Sequence, residues 1–457
     1  MTRTTVSTVV AALLCVALGS GCDDSTPSAD TRSDAGPDAP SCAFSTAPPQ
    51  QVSGAAGGRL LIEVAARGND SITLEGAPSS WSMRREDGRL VVRLPYDAAG
   101  EHALALLLDC ADGGRARAPI AVTVRALAWR TLPSWQPGSS GPSAREHAPL
   151  HVDGDRMLAI GGFLYQPAQG TVADDLWQLD LSSERWQKLD AGGAHVAIAG
   201  VRVAPDGSGA LLVHGGQQSG GAYSTDLWRL DLAVEPPSWS KVSAASGAPG
   251  GVTLHAFIHD TPRARYVAMG GISGNALSGG AIIFETAGGG AWKPLEIAAG
   301  PSPSPRYGFF FAHDAEGQRL IVWSGAQQPS AADPINAAQD LWSLDLAASP
   351  ARWQKLAAAG DVPPGRRNGC WAFDSEGRRL IVWGGTSDGR TTQPGLFVLS
   401  LDVDDVAQPR WQRVDLAGEP PIRSSCSGTY DATRKRALFG FGNSATATYA
   451  DLHELAL

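Results

Sequence analysis

Basic side chains recur at one point of a repeated segment, a few residues before a short apolar run. Guanidinium and imidazolium groups hold anions by charge and by hydrogen bonds, so a ring of them would attract an anionic sugar, a carboxylate or an acidic peptide. The alternative is structural, because the same groups pair readily with loop carbonyls and with acids such as Glu146 and Glu419. The basic residues at this point are Arg145, His147, His195, Arg306, Arg366, Arg367 and Arg423.

Other polar residues follow the glycines that end apolar runs such as "LLVHGG" and "LIVWGG". Loops of variable length on a rigid scaffold often carry recognition, and their polar side chains are otherwise simply hydrated. We predict that three of these residues belong to the same ligand-binding set as the basic residues. They are Gln217, Gln327 and Arg390.

Patterns typical of catalytic and metal sites are weak in this chain. His147 and His151, like His255 and His259, lie four residues apart on predicted strands. That spacing separates two side chains by about 13 Å, which is too far for one metal ion. The sequence has no Ser-His-Asp signature and no phosphate-binding loop. We therefore assign no catalytic residue, no metal ligand and no cofactor.

The segments that carry these side chains form a repeat. Each unit has an apolar strand that ends in glycine, then a variable loop, a "DLWxLDL"-like strand and a strand that begins at a tryptophan. A further strand and a tight turn such as "DSEGRR" precede each glycine, which gives four strands per unit. The glycines are Gly161-Gly162, Gly215-Gly216, Gly270-Gly271, Gly325, Gly384-Gly385 and Gly442.

This combination of glycines, a later aromatic residue and a tryptophan resembles the kelch repeat. The resemblance covers residues 126–457 and implies an all-β fold, a six-bladed kelch β-propeller of radial four-stranded sheets. Extracellular kelch propellers include copper oxidases similar to galactose oxidase, whose site needs two histidines, two tyrosines and a Tyr–Cys crosslink. Because the cysteines of this propeller lie at the starts of blades, we expect no copper site.

The sixth unit stops at "DLHELAL", residues 451–457, before its fourth strand. The segment "LAWRTL" at 127–132 precedes the first unit, and its Trp129 lies one repeat length before Trp186. We predict that residues 127–132 supply the missing strand and close the ring, because an open propeller would expose an unpaired strand edge. The longer loops then lie on one face, where we place the ligand site together with the mouth of the central channel.

Residues 42–125 contain short strand-like runs separated by Gly, Asp and Pro, which predicts a small β-sandwich. The stretch from "GAPSSW" to "DCADG" resembles the immunoglobulin-like domains of bacterial surface proteins. Cys42 and Cys110 would close this region with a disulfide. Cys370 and Cys426 lie near the starts of two successive repeats, where they either face each other as a disulfide or stay as two buried thiols.

The first residues predict export. A short apolar run at 9–19 follows Arg3 and is typical of a signal peptide, residues 1–21. "LGSGC" resembles a bacterial lipoprotein signal, which implies lipidation of Cys22, although Gly19 stands where that signal usually has leucine. Residues 22–41 are acidic and rich in Ser, Pro and Ala, as in a disordered tether. Ordinary secretion is the alternative.

Together these features predict an exported, membrane-anchored lipoprotein of the bacterial cell envelope that acts as a binding or protein-interaction module for a protein or glycan ligand. Its net charge of -9 argues against nucleic acid as a partner. The alternative is a sugar-active enzyme of the mutarotase or epimerase type with its site in the channel mouth, because periplasmic sialic-acid mutarotases are six-bladed kelch propellers. That chemistry would need an acid–base pair in the mouth.

Overall fold

The computed structural model describes residues 42–457 except positions 58, 65–69, 80, 87–88, 95–97, 112, 133–140, 165–170, 195–196, 248, 329–336, 390 and 402–407. The predicted signal peptide at 1–21, the lipidated Cys22 and the tether at 22–41 lie outside this part of the chain. Among the described residues, no helix has the length and apolar character that a membrane span requires.

The body of the molecule consists of six blades of a β-propeller, each with four antiparallel strands, and the sheet of blade 5 has a fifth, short parallel strand, Ala359–Gly360. First strands of neighbouring blades contact one another between blades 2 and 3, 4 and 5, 5 and 6, and 6 and 1, so the first strands are the innermost. The second strands carry unbroken apolar runs such as "RLIVW", which suit a strand that is covered on both faces by adjacent blades. The prediction of an all-β, six-bladed fold is confirmed.

The blade strands are, from inside to outside, Leu150–Asp153, Arg156–Ile160, Leu176–Asp180 and Arg185–Leu189 in blade 1; Arg202–Pro205, Ala210–His214, Leu227–Asp231 and Ser238–Val242 in blade 2; Ala256–Asp260, Arg265–Met269, Ala281–Glu285 and Ala291–Pro294 in blade 3; Phe310–Asp314, Arg319–Trp323, Leu341–Asp345 and Arg352–Leu356 in blade 4; Cys370–Asp374, Arg379–Trp383, Leu396–Ser400 and Arg410–Val414 in blade 5; Ser427–Asp431, Arg436–Gly440, Leu452–Ala456 and Ala128–Thr131 in blade 6.

Short strands lie within the loops, and two 3-10 turns connect successive strands of blade 3. The short strands are Arg145–Glu146, Phe163–Leu164, Thr171–Val172, Ile198–Ala199, Gln217–Gln218, Ile272–Ser273, Ala276–Leu277 and Ala359–Gly360. The 3-10 turns are Thr261–Arg263 and Ala287–Gly289.

Blade 6 combines strands from the two ends of the propeller sequence. Ala128–Thr131 pairs antiparallel with Leu452–Ala456, so that Leu455 faces Trp129 across the ladder. Arg130 then bridges two blades, because its guanidinium pairs with Glu454 of blade 6 and with Glu184 of blade 1. The closing strand is therefore held by backbone pairing and by charge on both sides.

Residues before the propeller form two further sheets that share one core. Their strands are Gln51–Ala55, Arg115–Arg125, Gly100–Asp109 and Ser71–Glu75 in one sheet, and Arg59–Glu63, Arg89–Arg93 and Ser82–Glu86 in the other. The resemblance of this region to immunoglobulin-like domains stays a prediction. Disulfides join Cys42 to Cys110 here and Cys370 to Cys426 between blades 5 and 6.

The N-terminal β domain contacts the propeller at the tight turns that join first and second strands. Arg59 donates to the carbonyl of Glu376 in blade 5, and Arg379 Nη1 donates to the carbonyl of Ala56 at 3.5 Å. The buried residues of this domain and of blades 5 and 6 also form one continuous apolar cluster. The domain therefore sits on the turn face of the propeller and leaves the opposite face to the long loops.

Candidate functional site

Four of the predicted ligand-binding arginines lie inside the blades. They are at most 1% exposed, and each uses Nη1 and Nε to donate to backbone carbonyls of its own blade. A buried guanidinium whose donors are taken by the backbone is not available to a ligand at the surface. The ligand-binding prediction is therefore corrected for Arg145, Arg306, Arg366 and Arg423, which hold their blades together.

In three blades, an aspartate just before the third strand pairs with the interior arginine of the same blade. Arg145 Nη1 lies 2.5 Å from Asp175 Oδ1, and Trp177 donates its indole N–H to the same carboxylate at 2.7 Å. Burial alone would raise the pKa of Asp175, but the hydrogen bonds and charge of Arg145 outweigh it and leave that pKa below its usual value. The equivalent pairs are Arg306–Asp340 in blade 4 and Arg423–Asp451 in blade 6.

Blade 5 holds the same arginine without a carboxylate. Gly395 stands where the other three blades have aspartate, and Phe397 stands where they have Trp177, Trp342 or His453. Arg366 instead lies 5.1 Å from the centre of the Phe397 ring, and burial lowers its pKa to about 10. Arg366 has no carboxylate partner in the described part of the chain.

A closed ring of backbone hydrogen bonds surrounds the channel just above the innermost strands. Six residues, one per blade, have φ values of 53° to 66°, and the N–H of each donates to the carbonyl of its counterpart in the preceding blade. The six N···O distances are 2.6–3.3 Å, and blade 1 donates to blade 6. These six residues, here called the backbone ring, are His147, Gly200, Leu254, Gly308, Asn368 and Ser425.

The channel beside the backbone ring contains a cavity of about 140 Å³. Its wall is polar and apolar in nearly equal parts, and it is aromatic on the side of blades 4 and 5, where Phe311 and Trp371 line it. Its charged or titratable members are His147 and Arg202, while Asn368 adds an amide. The volume has room for several water molecules or for one small ligand group.

Arg202 is a cation in this wall without a negative partner. Its Nε donates to the carbonyl of His255 at 2.8 Å and its Nη1 to that of Val201 at 3.2 Å. The guanidinium carbon lies 5.2 Å from the centre of the Trp371 ring and 6.0 Å from that of Phe311. Within the described ranges, no carboxylate forms an ion pair with it. Unlike the interior arginines, Arg202 lines the channel cavity, and its environment there suits an incoming anion.

The electrostatics of the channel follow from this cation. Burial lowers the pKa of Arg202 to about 10, so the group stays charged at neutral pH. Burial first, and then the charges of Arg202 and Arg367, lower the pKa of His147 to about 3. His147 is therefore a neutral imidazole at the cavity wall, and the local positive charge belongs to the two arginines.

The other predicted site residues are scattered. Arg367 lies beside Tyr307, with its guanidinium carbon 5.1 Å from the ring centre. Gln217 is half-buried in a short loop strand, and Gln327 donates to Ser304 Oγ at 2.5 Å. Only His147 of the predicted set lines the channel cavity. His195 and Arg390 lie outside the described residues.

Among the described residues that line the channel cavity, none is aspartate or glutamate, and His147 is neutral. These residues do not form the acid–base pair that the alternative of a sugar-active enzyme requires. Across the part of the chain that the structure describes, no three His, Cys, Asp or Glu side chains are grouped as a metal site. The wall offers the guanidinium of Arg202, two aromatic rings and the amide of Asn368, groups that are suited to binding a small polar ligand group.

Sequence reasoning missed Arg202, although a signal was present. In the other five units, the residue that starts or immediately precedes the innermost strand at this register is Pro149, Ala256, Phe310, Cys370 or Ser427. Arg202 is the one charged residue among the six. An alignment of the repeats by register would have singled it out, whereas the search for arginines at loop starts selected the interior set.

The comparison with protein families finds a match to the KLHDC2/KLHL20/DRC7 kelch-repeats domain over residues 264–457. Adagio-like protein 1 of Oryza sativa subsp. japonica is 25% identical over 356 residues, which cover 73% of this chain and 52% of that protein. Kelch domain-containing protein 2 of Homo sapiens is 27% identical over 153 residues, 33% of this chain and 35% of that protein. The chain thus spans about half the length, or less, of these relatives.

Among solved structures, that of YjhT matches with a TM-score of 0.51 and 16% sequence identity, over 68% of this chain and 95% of that chain. At this identity the likeness concerns the fold alone. The matched kelch-repeats domain, the kelch-containing relatives and the six blades agree with one another. The chain therefore has a six-bladed β-propeller fold and contains kelch repeats, matched over residues 264–457.

Proposed function

We propose that this protein is an exported, lipid-anchored binding module of the bacterial cell envelope, whose propeller channel receives a carboxylate group of a protein or glycan ligand. Kelch-repeat proteins generally serve as protein-interaction modules, which favours binding over catalysis. The proposal adds a location for the contact and a chemical class for the group that is bound.

The observation that carries the proposal is the half-buried guanidinium of Arg202, which forms no ion pair with any described residue. A buried cation is costly unless an anion or hydrogen-bond acceptors compensate it. Two backbone carbonyls supply part of this compensation, and the cavity beside Arg202 leaves room for a carboxylate. Trp371 and Phe311 would pack against the apolar part of the ligand while the guanidinium binds its charge.

The position of the N-terminal β domain supports recognition on the loop face. Because that domain contacts the turn face through Arg59, Arg379 and the shared apolar cluster, a partner would approach the propeller from the side of the long loops. In the proposed arrangement, a lipid at Cys22 and the tether at 22–41 hold the protein at the membrane. The N-terminal domain then serves as the spacer.

A titration of the full chain with propionate tests the carboxylate site. We expect saturable binding by calorimetry, and a loss of at least tenfold in affinity for Arg202→Met, since hydrogen bonds to charged groups contribute about 1.5–3 kcal/mol. Arg413→Met is the matched control, because this arginine is exposed and pairs with Asp415 far from the channel. Equal affinity of the Arg202→Met and wild-type proteins would refute the site.

A separate experiment tests the anchor. Cells that express the wild-type chain are labelled with a fatty-acid probe, and the Cys22→Ala variant is the comparison. We expect the label and membrane retention to disappear in the variant, while propionate binding by the purified protein is unchanged. Retention of both label and membrane association by Cys22→Ala would contradict the anchor without affecting the channel site.

A further inference from the structure

Blade 3 lacks all three side chains that fill the interior of blades 1, 4 and 6. Strand register places Val252 at the arginine position, Gly280 at the aspartate position and Ile282 at the tryptophan position. The backbone itself is conserved in geometry, because the carbonyl of Val252 accepts from Gly216 N at 2.7 Å, as the carbonyl of Arg306 does from Gly271 N at 2.8 Å. Only the side chains differ.

A cavity of about 370 Å³ occupies the place of the missing side chains, and Val252, Gly280 and Ile282 all line it. Its rim is open to solvent on the loop face, where Ser273, Ser278 and Gly280 are exposed. A Cβ atom added at Gly280 would meet nothing within 4 Å. The slot is therefore empty and accessible, and its size is in the range of small-ligand pockets, roughly 300–1,000 Å³.

The wall of this cavity keeps the acceptors that bind a guanidinium in the other blades. Arg306 donates Nη1 to the carbonyl of Ser324 and Nε to that of Ser304, both at 3.0 Å. The corresponding carbonyls in blade 3 are those of Gly270 and Gly250, and both residues line the cavity. Within the described part of the chain, neither carbonyl accepts a hydrogen bond from the protein.

The floor of the slot is also aromatic. Arg423 lies 5.4 Å from the ring centre of Trp383, the last residue of the second strand in the preceding blade. His214 holds this position next to blade 3, and its Nδ1 lies 2.9 Å from Nε2 of His255. His214 Nε2 and His255 Nδ1 are buried without partners. Burial keeps both imidazoles neutral by lowering their pKa, to about 4 for His214.

We propose that the blade 3 slot binds a planar guanidinium group from outside the chain, in the place that Arg145, Arg306, Arg366 and Arg423 occupy in their own blades. Arg366 shows that this position accepts a guanidinium without a carboxylate. The planar guanidinium can donate to two carbonyls at fixed positions, which a compact ammonium group does less well. The group would belong either to a small guanidinium compound or to an arginine side chain of a partner protein. Arg202 does not line this cavity, although its Nε donates to the carbonyl of His255, a residue of the slot.

The test is a calorimetric titration of the full chain with ethylguanidinium, with ethylammonium and ethylurea as the comparison ligands. We expect saturable binding of ethylguanidinium only. Titration with N-acetyl-arginine methylamide distinguishes the two sources, because binding of this compound supports an arginine of a partner, and binding of ethylguanidinium alone supports a small compound. Failure of ethylguanidinium to bind, or equal binding of ethylammonium, would overturn the proposal.

Two variants tie binding to the slot. Val252→Arg fills it from within and should reduce ethylguanidinium affinity at least tenfold, whereas Val362→Arg on the exposed surface should leave affinity unchanged. Gly280→Asp adds the missing carboxylate at a residue without positive φ and should raise affinity about tenfold, as expected for a charge-assisted hydrogen bond. If Val252→Arg does not fold, the Gly280→Asp variant decides, and an unchanged affinity there contradicts the site.

Discussion

Blades 5 and 6 place an arginine in the same backbone setting and stabilise it by different chemistry. In blade 6, Arg423 pairs with Asp451, and His453 hydrogen-bonds the same carboxylate. In blade 5, both the carboxylate and its second partner are gone together, and the Phe397 ring packs against Arg366. Blade 5 lacks both the carboxylate and the side chain that donates to it in blade 6, so neither group is left there without its hydrogen-bond partner.

Arginine and aspartate can therefore occur separately at these two positions. Blade 5 has the arginine without the aspartate, and blade 2 has Asp226 with Ile198 at the arginine position, where Lys241 pairs with the carboxylate. The guanidinium joins two backbone carbonyls of its own blade in all four cases. Removal of the arginine should therefore destabilise a blade more where the aspartate is present, because the carboxylate is then left without its cation.

We expect the largest effect from Arg423→Met, which leaves the half-buried Asp451 without its cation. We expect a loss of about 3–5 kcal/mol in the free energy of unfolding. Urea denaturation followed by tryptophan fluorescence measures it. A loss below about 1 kcal/mol would mean that Asp451 is compensated by His453 or by solvent, and the comparison between the blades would fail.

Arg366→Met should cost less, because no carboxylate is left behind. The variant loses hydrogen bonds to the carbonyls of Gly384 and Pro364 and the contact with Phe397. We expect a loss of about 1–2 kcal/mol by the same denaturation measurement. A loss as large as that of Arg423→Met would show that the two blades do not differ in the way described. The exposed Arg413→Met variant is the control for both.

The smallest effect that we expect is a dependence on pH that blade 6 should show and blade 5 should not. Burial raises the pKa of Asp451, but its hydrogen bonds to His453 and Arg423 and the charge of Arg423 outweigh that effect, so the pKa in the folded protein lies well below the usual value. This contribution to stability is complete above about pH 4, the pKa of an unfolded aspartate, and is lost as pH falls through the folded pKa.

Arg423→Met reverses that situation, because burial without the cation raises the pKa of Asp451. The penalty of this variant should therefore shrink between pH 7 and pH 4 by about 1 kcal/mol, as the carboxylate takes up a proton. Denaturation curves for wild type and variant at both pH values give the difference. The penalty of Arg366→Met should stay constant, and a parallel change in both variants would contradict the assignment.

The fold was readable from the sequence because the repeat is long and regular. Six glycine-ended apolar strands and a tryptophan one repeat length before the first unit, Trp129, are sufficient to predict six blades, and Ala128–Thr131 pairs with Leu452–Ala456 as predicted. The site was less readable. The sequence places Arg145 and Arg423 just before the innermost strands. It does not show that their side chains point into the blade and pair with Asp175 and Asp451.

Arg202 and the blade 3 slot illustrate the opposite case, in which a departure from the repeat carries the information. Arg202 is charged where its counterparts are not, and Val252, Gly280 and Ile282 together replace an entire interior cluster. Both departures can be read in the sequence. Only the strand register, which the structure supplies, shows that these residues occupy equivalent positions in the blades.

The origin of the closing strand also bears on biosynthesis. Thr131 and His453, neighbours across the last ladder, are 322 positions apart in the sequence. At translation rates of about 5–20 residues per second, Ala128–Thr131 would leave the ribosome roughly 16–64 s before its partner. During that interval its edge is a template for incorrect pairing. A nascent chain of this design would benefit from being kept unfolded until Leu452–Ala456 has been made.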